Sequence, residues 1–373
     1  MTNNKYNDIF YITDFSLPNM SAYALHVLKM CDAFSEDKNN VSLLLPYIKK
    51  EYKFEKIKYD YLLKNFFQIK GFFNSKIKRN FFSLFIFSLR LYKFFSSIQK
   101  PCLIISRSIV PALLLSIFRQ NVILEIHTEL QGWTKYIFSI FKFFNLSKNL
   151  KFILINKKLN DHLKLQDKDF IILDDCVDFR DFHPVNEKKN SCVYTGSFVK
   201  GKGVETILNI ASNLPNINFI LYGNLKTLDK DLYDKILKEK NISLNNFVSY
   251  REISEILPRN KVLLMPYEKK VGVLIDNLDV SNYISPLKLF DYLAAGSIII
   301  ATRKDAYAHV LKDKYNCFLV NSSNPSEWCE IIKTALTESP LINEIKKNSL
   351  KSAKIYNWLN RVDKIHNFFN NKL

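Results

Sequence analysis

The chain predicts an α/β fold built as two parallel-sheet halves. Three observations point there. Short apolar runs alternate with helical patterns along all 373 residues. The rhythm restarts after a turn-rich segment, 178–190, which carries Pro184 and several charges. The stretch 285–302 spells out loop, helix start, helix, glycine stop and buried strand in one line. In the first half, strands are expected at 9–13, 41–45, 102–106, 122–126, 152–156 and 171–173, with a helix over 21–34 after the first. In the second half they are expected at 192–195, 218–222, 247–250, 262–265, 297–301 and 317–320. This gives a first domain over 1–185, a second over 186–355, and an amphipathic closing helix within 356–373.

The bulk properties set limits. An apolar fraction of 47% and an aromatic fraction of 14% are enough for two substantial cores. Lys and Arg number 54 against 36 Asp and Glu, a formal charge of +18. That balance favours polyanions: nucleic acid, an anionic membrane or a phosphorylated substrate. A lysine-rich solvated surface accounts for much of the same charge. The six cysteines form no CxxC pair, so neither a zinc site nor a redox motif is indicated, and reduced thiols of a cytoplasmic protein are expected. The polar start, 1–8, shows no signal peptide. The most apolar segment, 81–89, stops at Arg90, well short of the ~20 residues that span a bilayer.

Two stretches of the second half carry the chemistry. Ser285 suits a helix N-cap and Pro286 the first helical position. Leu287, Phe290, Leu293 and Ala294 then repeat at helical spacing until Gly296. A helix start is a natural anion site, and Lys288 and Asp291 lie three residues apart near it, placed to meet a phosphate and a sugar hydroxyl. The second stretch, Gly196-Ser197-Phe198-Val199-Lys200-Gly201-Lys202-Gly203, follows a strand and opens a helix near Val204. Its small residues allow close backbone approach, and its lysines can neutralise phosphate charge. It is neither a P-loop nor a dinucleotide fingerprint, and an ordinary solvated turn has the same composition.

In the first half, Glu125-Ile126-His127-Thr128-Glu129 ends an apolar strand, where ligands of such sheets gather. His127 can donate and accept hydrogen bonds at neutral pH, and Glu125 and Glu129 flank it as acceptor-side carboxylates. Asn19 and Ser21 are the small polar residues after the first strand, Ser21 also suiting an N-cap. Arg107 follows the strand at 102–106, where it faces either a ligand or a surface ion pair. His26 is most simply a satisfied helix residue.

The string Ser285-Pro286-Leu287-Lys288, with Asp291 and Gly296, resembles the donor-binding signature of retaining glycosyltransferases of family 4, the bacterial group 1 glycosyl transferases. The resemblance implies the GT-B architecture, two Rossmann-like domains facing a cleft, with the closing helix returning to the first domain. It implies that Asp291 binds the ribose of a nucleotide sugar. Lys202 matches the lysine of the family's glycine-lysine loop, which holds the donor diphosphate. His127 falls where the family often has a histidine near the reacting sugar. Two positions depart from the pattern. Tyr283 stands at the earlier acidic position, and Ser197 stands where many relatives carry arginine, leaving Lys200 or Lys288 to compensate. The implied activity is transfer of a hexose-type sugar from a nucleotide-diphosphate donor to a hydroxyl of a cell-surface glycan or lipid-linked acceptor. No metal or other cofactor is expected, because no DxD triplet directly follows the carboxyl end of an expected strand and cations can take a metal's place.

A last region bears on partners. Residues 49–100 hold 13 Lys or Arg against 3 Asp or Glu, with 11 Phe. Basic aromatic helices of this kind can lie in a membrane interface, and 133–151 is similar. Packed phenylalanines with solvated lysines would read the same. The expected location is cytoplasmic, with peripheral contact to the inner membrane face as the stronger form. A nucleotide-sugar epimerase of the same fold is the rival reading. A nucleic-acid-binding protein has only the charge in its favour, with no recognition motif to support it.

Overall fold

The structure is a computed structural model. It describes residues 7–37, 39–119, 121–146, 149–272, 278–321 and 324–370; part of the polar start, 1–6, lies outside them. The chain divides into two units, one spanning Met1–Asp174 with Trp358–Leu373 and the other Asp175–Asn357.

The first unit runs β1 (Asp8–Ile12), α1 (Ala22–Glu36), β2 (Asn40–Leu45), α2 (Phe54–Tyr61), β3 (Gln68–Gly71), α3 (Phe81–Ser96), β4 (Cys102–Ser106), α4 (Ile109–Phe118), β5 (Val122–Ile126), α5 (Trp133–Phe143), β6 (Leu150–Leu154), α6 (Leu159–Leu163) and β7 (Phe170–Ile172). The chain's last helix, α13 (Trp358–Asn370), packs on α1 in this unit. The seven strands lie in the order β3-β2-β1-β4-β5-β6-β7, all parallel. Every residue of β4 and β5 is buried, which is why both read as unbroken apolar runs. Ser21 caps α1, its Oγ accepting from the Ala24 N–H at 3.2 Å.

The second unit runs β8 (Lys189–Thr195), α7 (Val204–Ser212), β9 (Asn218–Tyr222), α8 (Lys230–Ile236), β10 (Ile242–Asn245), α9 (Tyr250–Ile256), β11 (Asn260–Met265), α10 (Leu287–Ala294), β12 (Ile298–Thr302), β13 (Phe318–Val320), α11 (Pro325–Leu336) and α12 (Pro340–Ile355). Its six parallel strands lie in the order β10-β9-β8-β11-β12-β13. In each sheet the winding reverses beside the first strand, between β1 and β4 and between β8 and β11. The carboxyl ends of those strand pairs are where open α/β sheets place ligands.

Four details differ from the sequence-based expectation. The units part at Asp174/Asp175 instead of 185/186, because the Val177 N–H bonds to the Tyr356 carbonyl at 3.0 Å and ties this linker into the second unit. The strand expected at 247–250 is instead β10 at Ile242–Asn245. Ser249 and Glu252 form a capping box that starts a helix where the apolar pattern predicted a strand. The half-polar β3 gave no strand signal, since only its pairing with β2 holds it in the sheet. Helix α10 begins one residue later than predicted, with Pro286 as its N-cap, while Ser285 Oγ accepts from the Asp175 N–H at 3.4 Å.

The second unit's core gathers Tyr194, Phe198, Ile207, Ile300 and Trp328, all buried. Trp328 on α11 is fully enclosed. Trp328→Ala is therefore expected to destabilise this unit by about 3–5 kcal/mol, read as a lower urea midpoint by fluorescence or circular dichroism.

Candidate functional site

In the second unit, the loop after β8 is held open by backbone shape. Gly196 has φ +145° and Gly203 φ +86°. A Cβ at Gly203 would lie 1.9 Å from the Pro266 carbonyl oxygen, so the loop packs backbone-to-backbone against the segment after β11. The Glu268 N–H bonds to the Gly201 carbonyl at 3.0 Å and the Gly272 N–H to that of Lys200 at 3.1 Å, fastening the two together.

Two cations converge here. Lys202 Nζ lies 5.0 Å from the Tyr267 ring centre, and Lys288 Nζ lies 5.4 Å from the same centre. Lys288 Nζ also sits over Tyr194 at 3.9 Å, and it is closed off from solvent with no hydrogen-bond partner among the described residues. It fills the space beside Gly196, where a Cβ would come within 2.5 Å of it. Burial pulls the Lys202 ammonium down to about 8. Burial, and then the charge of Lys202, hold Lys288 well below the usual lysine range. Two half-buried cations thus face two aromatic rings, one of them without an acceptor among the described residues.

Helix α10 is fixed through its last turn. The Tyr292 hydroxyl accepts from the Thr195 N–H at 3.0 Å and donates toward the Leu264 carbonyl at 3.4 Å, pinning the helix to the ends of β8 and β11. At its far end Lys188 Nζ donates to the carbonyls of Ala295 and Gly296 at 3.2 and 2.9 Å. One turn after Lys288, the buried Asp291 accepts from the Tyr250 hydroxyl at 3.5 Å. Burial, and then Asp291, push the Tyr250 phenol well above its usual range, so it stays a donor. Lys202, Lys288 and Asp291 therefore share one corner of the second sheet. Ser197 lies in the same loop and holds Tyr194 in place, its carbonyl accepting from the Tyr194 hydroxyl at 2.8 Å. Pro286 and Leu287 form the start of α10. Lys200 is exposed.

In the first unit, Glu125 is not an acceptor-side carboxylate open to ligand. Its side chain is wholly buried. Arg361 Nη2 and His26 Nε2 each stand 2.8 Å from Glu125 Oε1, and His127 Nε2 stands 2.7 Å from it. Tyr11 donates to Oε2. Burial works against this charge, but Arg361, and after it His26, outweigh burial and hold Glu125 well below the usual carboxylate range. The ring of His26 also meets those of His127 and Trp358 edge-on, at 4.8 and 5.1 Å. The donor atoms of His26, Glu125 and His127 lie within 4.8 Å of one another. The Arg361 guanidinium already occupies the place of a cation there, so this set does not fit a metal ion.

The remaining first-unit candidates are scattered. Glu129 pairs with His162 at 3.0 Å. Asn19 accepts from the Ser21 N–H at 2.9 Å, and Ser21 is spent as the α1 cap. The Arg107 guanidinium stacks on Tyr23 at 4.1 Å. Sequence reasoning passed over Tyr194, Tyr267, Tyr292 and Arg361. A tyrosine in or just after a strand looks like core, and an arginine in an amphipathic helix looks like surface.

This geometry defines a protein of two α/β units, the second carrying a pair of lysines around one tyrosine ring at its topological switch. Residues 177–352 match the family described as Glycosyl transferases group 1. The second unit belongs to that family. An uncharacterised glycosyltransferase of Methanocaldococcus jannaschii is 22% identical over 171 residues, a match covering 45% of this chain and 44% of that protein. The chain thus spans less than half of that curated relative. Among solved structures, a glycosyltransferase from Rickettsia africae superposes with TM-score 0.71 at 11% identity, over 97% of this chain and 98% of its own. Anabaena HepE, solved with UDP and glucose, superposes with TM-score 0.70 at 12% identity, over 96% of this chain and 99% of its own. The fold is the GT-B fold of these neighbours.

Lys288→Met is expected to raise the melting temperature of the ligand-free protein, with a gain of about 1 kcal/mol, because a buried cation without an acceptor is removed. The gain should shrink as pH rises. A lysine depressed by burial destabilises the fold while protonated, and that penalty fades between its folded value and about 10.5. Melting both proteins from pH 6.5 to 10 checks the sign.

Proposed function

We propose that the protein is a retaining glycosyltransferase that uses a nucleotide-diphosphate sugar. The observation that carries this reading is the pair of lysines around Tyr267, one without an acceptor among the described residues, at the switch point of a sheet whose unit belongs to the group 1 family. Lys202 and Lys288 bind the diphosphate and stabilise the charge that grows on it as the glycosidic bond breaks, usually the largest contribution to such catalysis. Lys288, lying on Gly196, supplies the second cation that Ser197 cannot. Asp291, one turn on, takes the ribose hydroxyls. Pro286 and Leu287, at the helix start, face the donor with Ser285 beside them, and His127 serves the acceptor side. HepE was solved with UDP and glucose, which makes a uridine nucleotide and a hexose the first donor to try.

The acceptor proposed is a hydroxyl of a lipid-linked or cell-surface glycan. Its support is a surface of the first unit. Exposed Phe81, Phe82, Phe85, Leu89 and Tyr92 form one stripe of α3, and exposed Trp133, Tyr136, Ile140 and Phe143 form one stripe of α5. Phe81 and Trp133 join the stripes at 5.3 Å. Lys76, Lys78 and Lys135, close in sequence to Phe81 and Trp133, are exposed. A basic rim around protruding aromatics suits the headgroup layer of an anionic bilayer. Among the described residues no helix is long and apolar enough to cross a membrane.

Lys202→Ala should abolish transfer with the circular dichroism spectrum unchanged. Melting shifts with UDP, GDP, ADP and CMP should identify the base, and loss of Lys202 should erase the shift. Binding a diphosphate should draw protons onto these depressed lysines. Affinity is thus expected to weaken as pH climbs past about 8, measured by calorimetry in buffers of different ionisation heat. Normal turnover in the variant, or epimer formation without acceptor, would remove the transferase reading.

The membrane contact has its own test. At low salt the protein should sediment with anionic vesicles but not with neutral ones. Replacing Phe82, Tyr136 and Phe143 together by Ser should release it at least tenfold; binding left unchanged would place the contact elsewhere.

A further inference from the structure

The C-terminal helix reaches into the first unit's polar centre. Arg361 on α13 is 2% exposed. Its guanidinium donates to Glu125 Oε1 at 2.8 Å, to the Asp174 carbonyl at 3.0 Å and to the Leu173 carbonyl at 3.4 Å, and touches Met30 Sδ at 3.6 Å. Three more groups meet the same carboxylate: Tyr11 from β1, His26 from α1 and His127 just beyond β5. Of the groups on Glu125, only His127 also reaches solvent; its side chain is 15% exposed, against 1% for His26 and Arg361.

We propose that Arg361 is a positioning residue for His127: by neutralising Glu125 it fixes which nitrogen of His127 carries the proton and when that ring takes a second one. The reasoning is a charge count. A buried carboxylate without a cation would draw protons onto the nearest imidazoles. With Arg361 in place, the carboxylate needs only neutral N–H donors. His127 then meets Glu125 by donating its Nε2–H, with no second ring proton called for. The groups facing this centre are Tyr11, His26 and Arg361, with Arg107 acting on Tyr11 through its charge. Tyr11 stays a neutral donor, since burial and then Glu125 push its phenol well above its usual range. On this view the last helix is part of the site's electrostatics as well as of its packing.

The role of His127 in transfer rests on the function proposed above, but the proton balance does not, so the decisive measurement needs no activity. The full-length protein is labelled at histidine, and the His127 resonance is assigned by its loss in His127→Gln. Its titration is followed by NMR in wild type, Arg361→Met, Glu125→Gln and Arg361→Lys. Arg361→Met should raise the His127 pKa by about 1 unit or more, because it leaves the carboxylate uncompensated. Glu125→Gln should lower it by a similar shift, because it leaves the guanidinium uncompensated. Arg361→Lys should return it toward wild type. The opposite signs cannot come from a general loosening of the fold. If Arg361→Met does not fold, the downward shift in Glu125→Gln decides alone. Unmoved titration, or shifts of one sign in both variants, overturns the proposal. If the titrations move as stated and no sugar transfer is found with any donor, the transferase reading fails and the positioning stands. If both hold, the pH limb of kcat/KM moves with the NMR value.

Discussion

The second unit is organised around a cation that no described residue answers. Lys288 Nζ is buried, without a hydrogen-bond partner among the described residues, and Lys202 adds a second positive charge beside the same aromatic ring. Two like charges under partial desolvation repel, and neither Tyr194 nor Tyr267 can neutralise them; the faces of aromatic rings attract cations by only about 1–2 kcal/mol. The arrangement survives because the surrounding frame is over-determined. Tyr292 ties α10 to two strand ends, Lys188 closes its far end, and the glycine loop is stitched to the segment after β11. On the proposed function, the donor diphosphate is the anion that relieves this destabilising pair.

The first unit holds the opposite case, a charge that is fully answered. Glu125 is buried more deeply than either lysine of the other site, yet four donors from β1, α1, α13 and the end of β5 converge on it. A network satisfied to that degree fixes geometry, because loss of one donor leaves the others around an uncompensated charge. The contrast separates the roles of the two centres. Unanswered cations are suited to binding; an answered carboxylate is suited to holding other groups in place, and His127 is the member of that network that solvent reaches.

Most of the strands were legible because they are largely buried on both faces, so they show as apolar runs whatever their neighbours. Where an element depends on partners, the sequence was silent. β3 is half polar and exists by pairing with β2. The expected strand at 247–250 shows the reverse failure, since aromatic residues gave a β-like run that a Ser249–Glu252 capping box overrides. The lysine site was visible in part. Lys202 and Lys288 stand in recognisable strings, but the rings they meet come from strand ends and from a segment after β11, which one-dimensional spacing cannot bring together.

The misreading of Glu125 follows from the same limit. A carboxylate at position 125 beside a histidine at 127, at the end of an apolar strand, looks like a surface pair open to ligand. Its actual state is set by Arg361, more than two hundred residues away in sequence. A long-range ion pair leaves no periodic trace, and an arginine within an amphipathic pattern is indistinguishable from a solvated one. The carboxylate could be buried only because a cation comes to meet it, and that cation arrives on the last helix. Packing of α13 on α1 therefore does more than cover an apolar face: without it, the centre of the first unit would carry a charge that its own strands cannot neutralise.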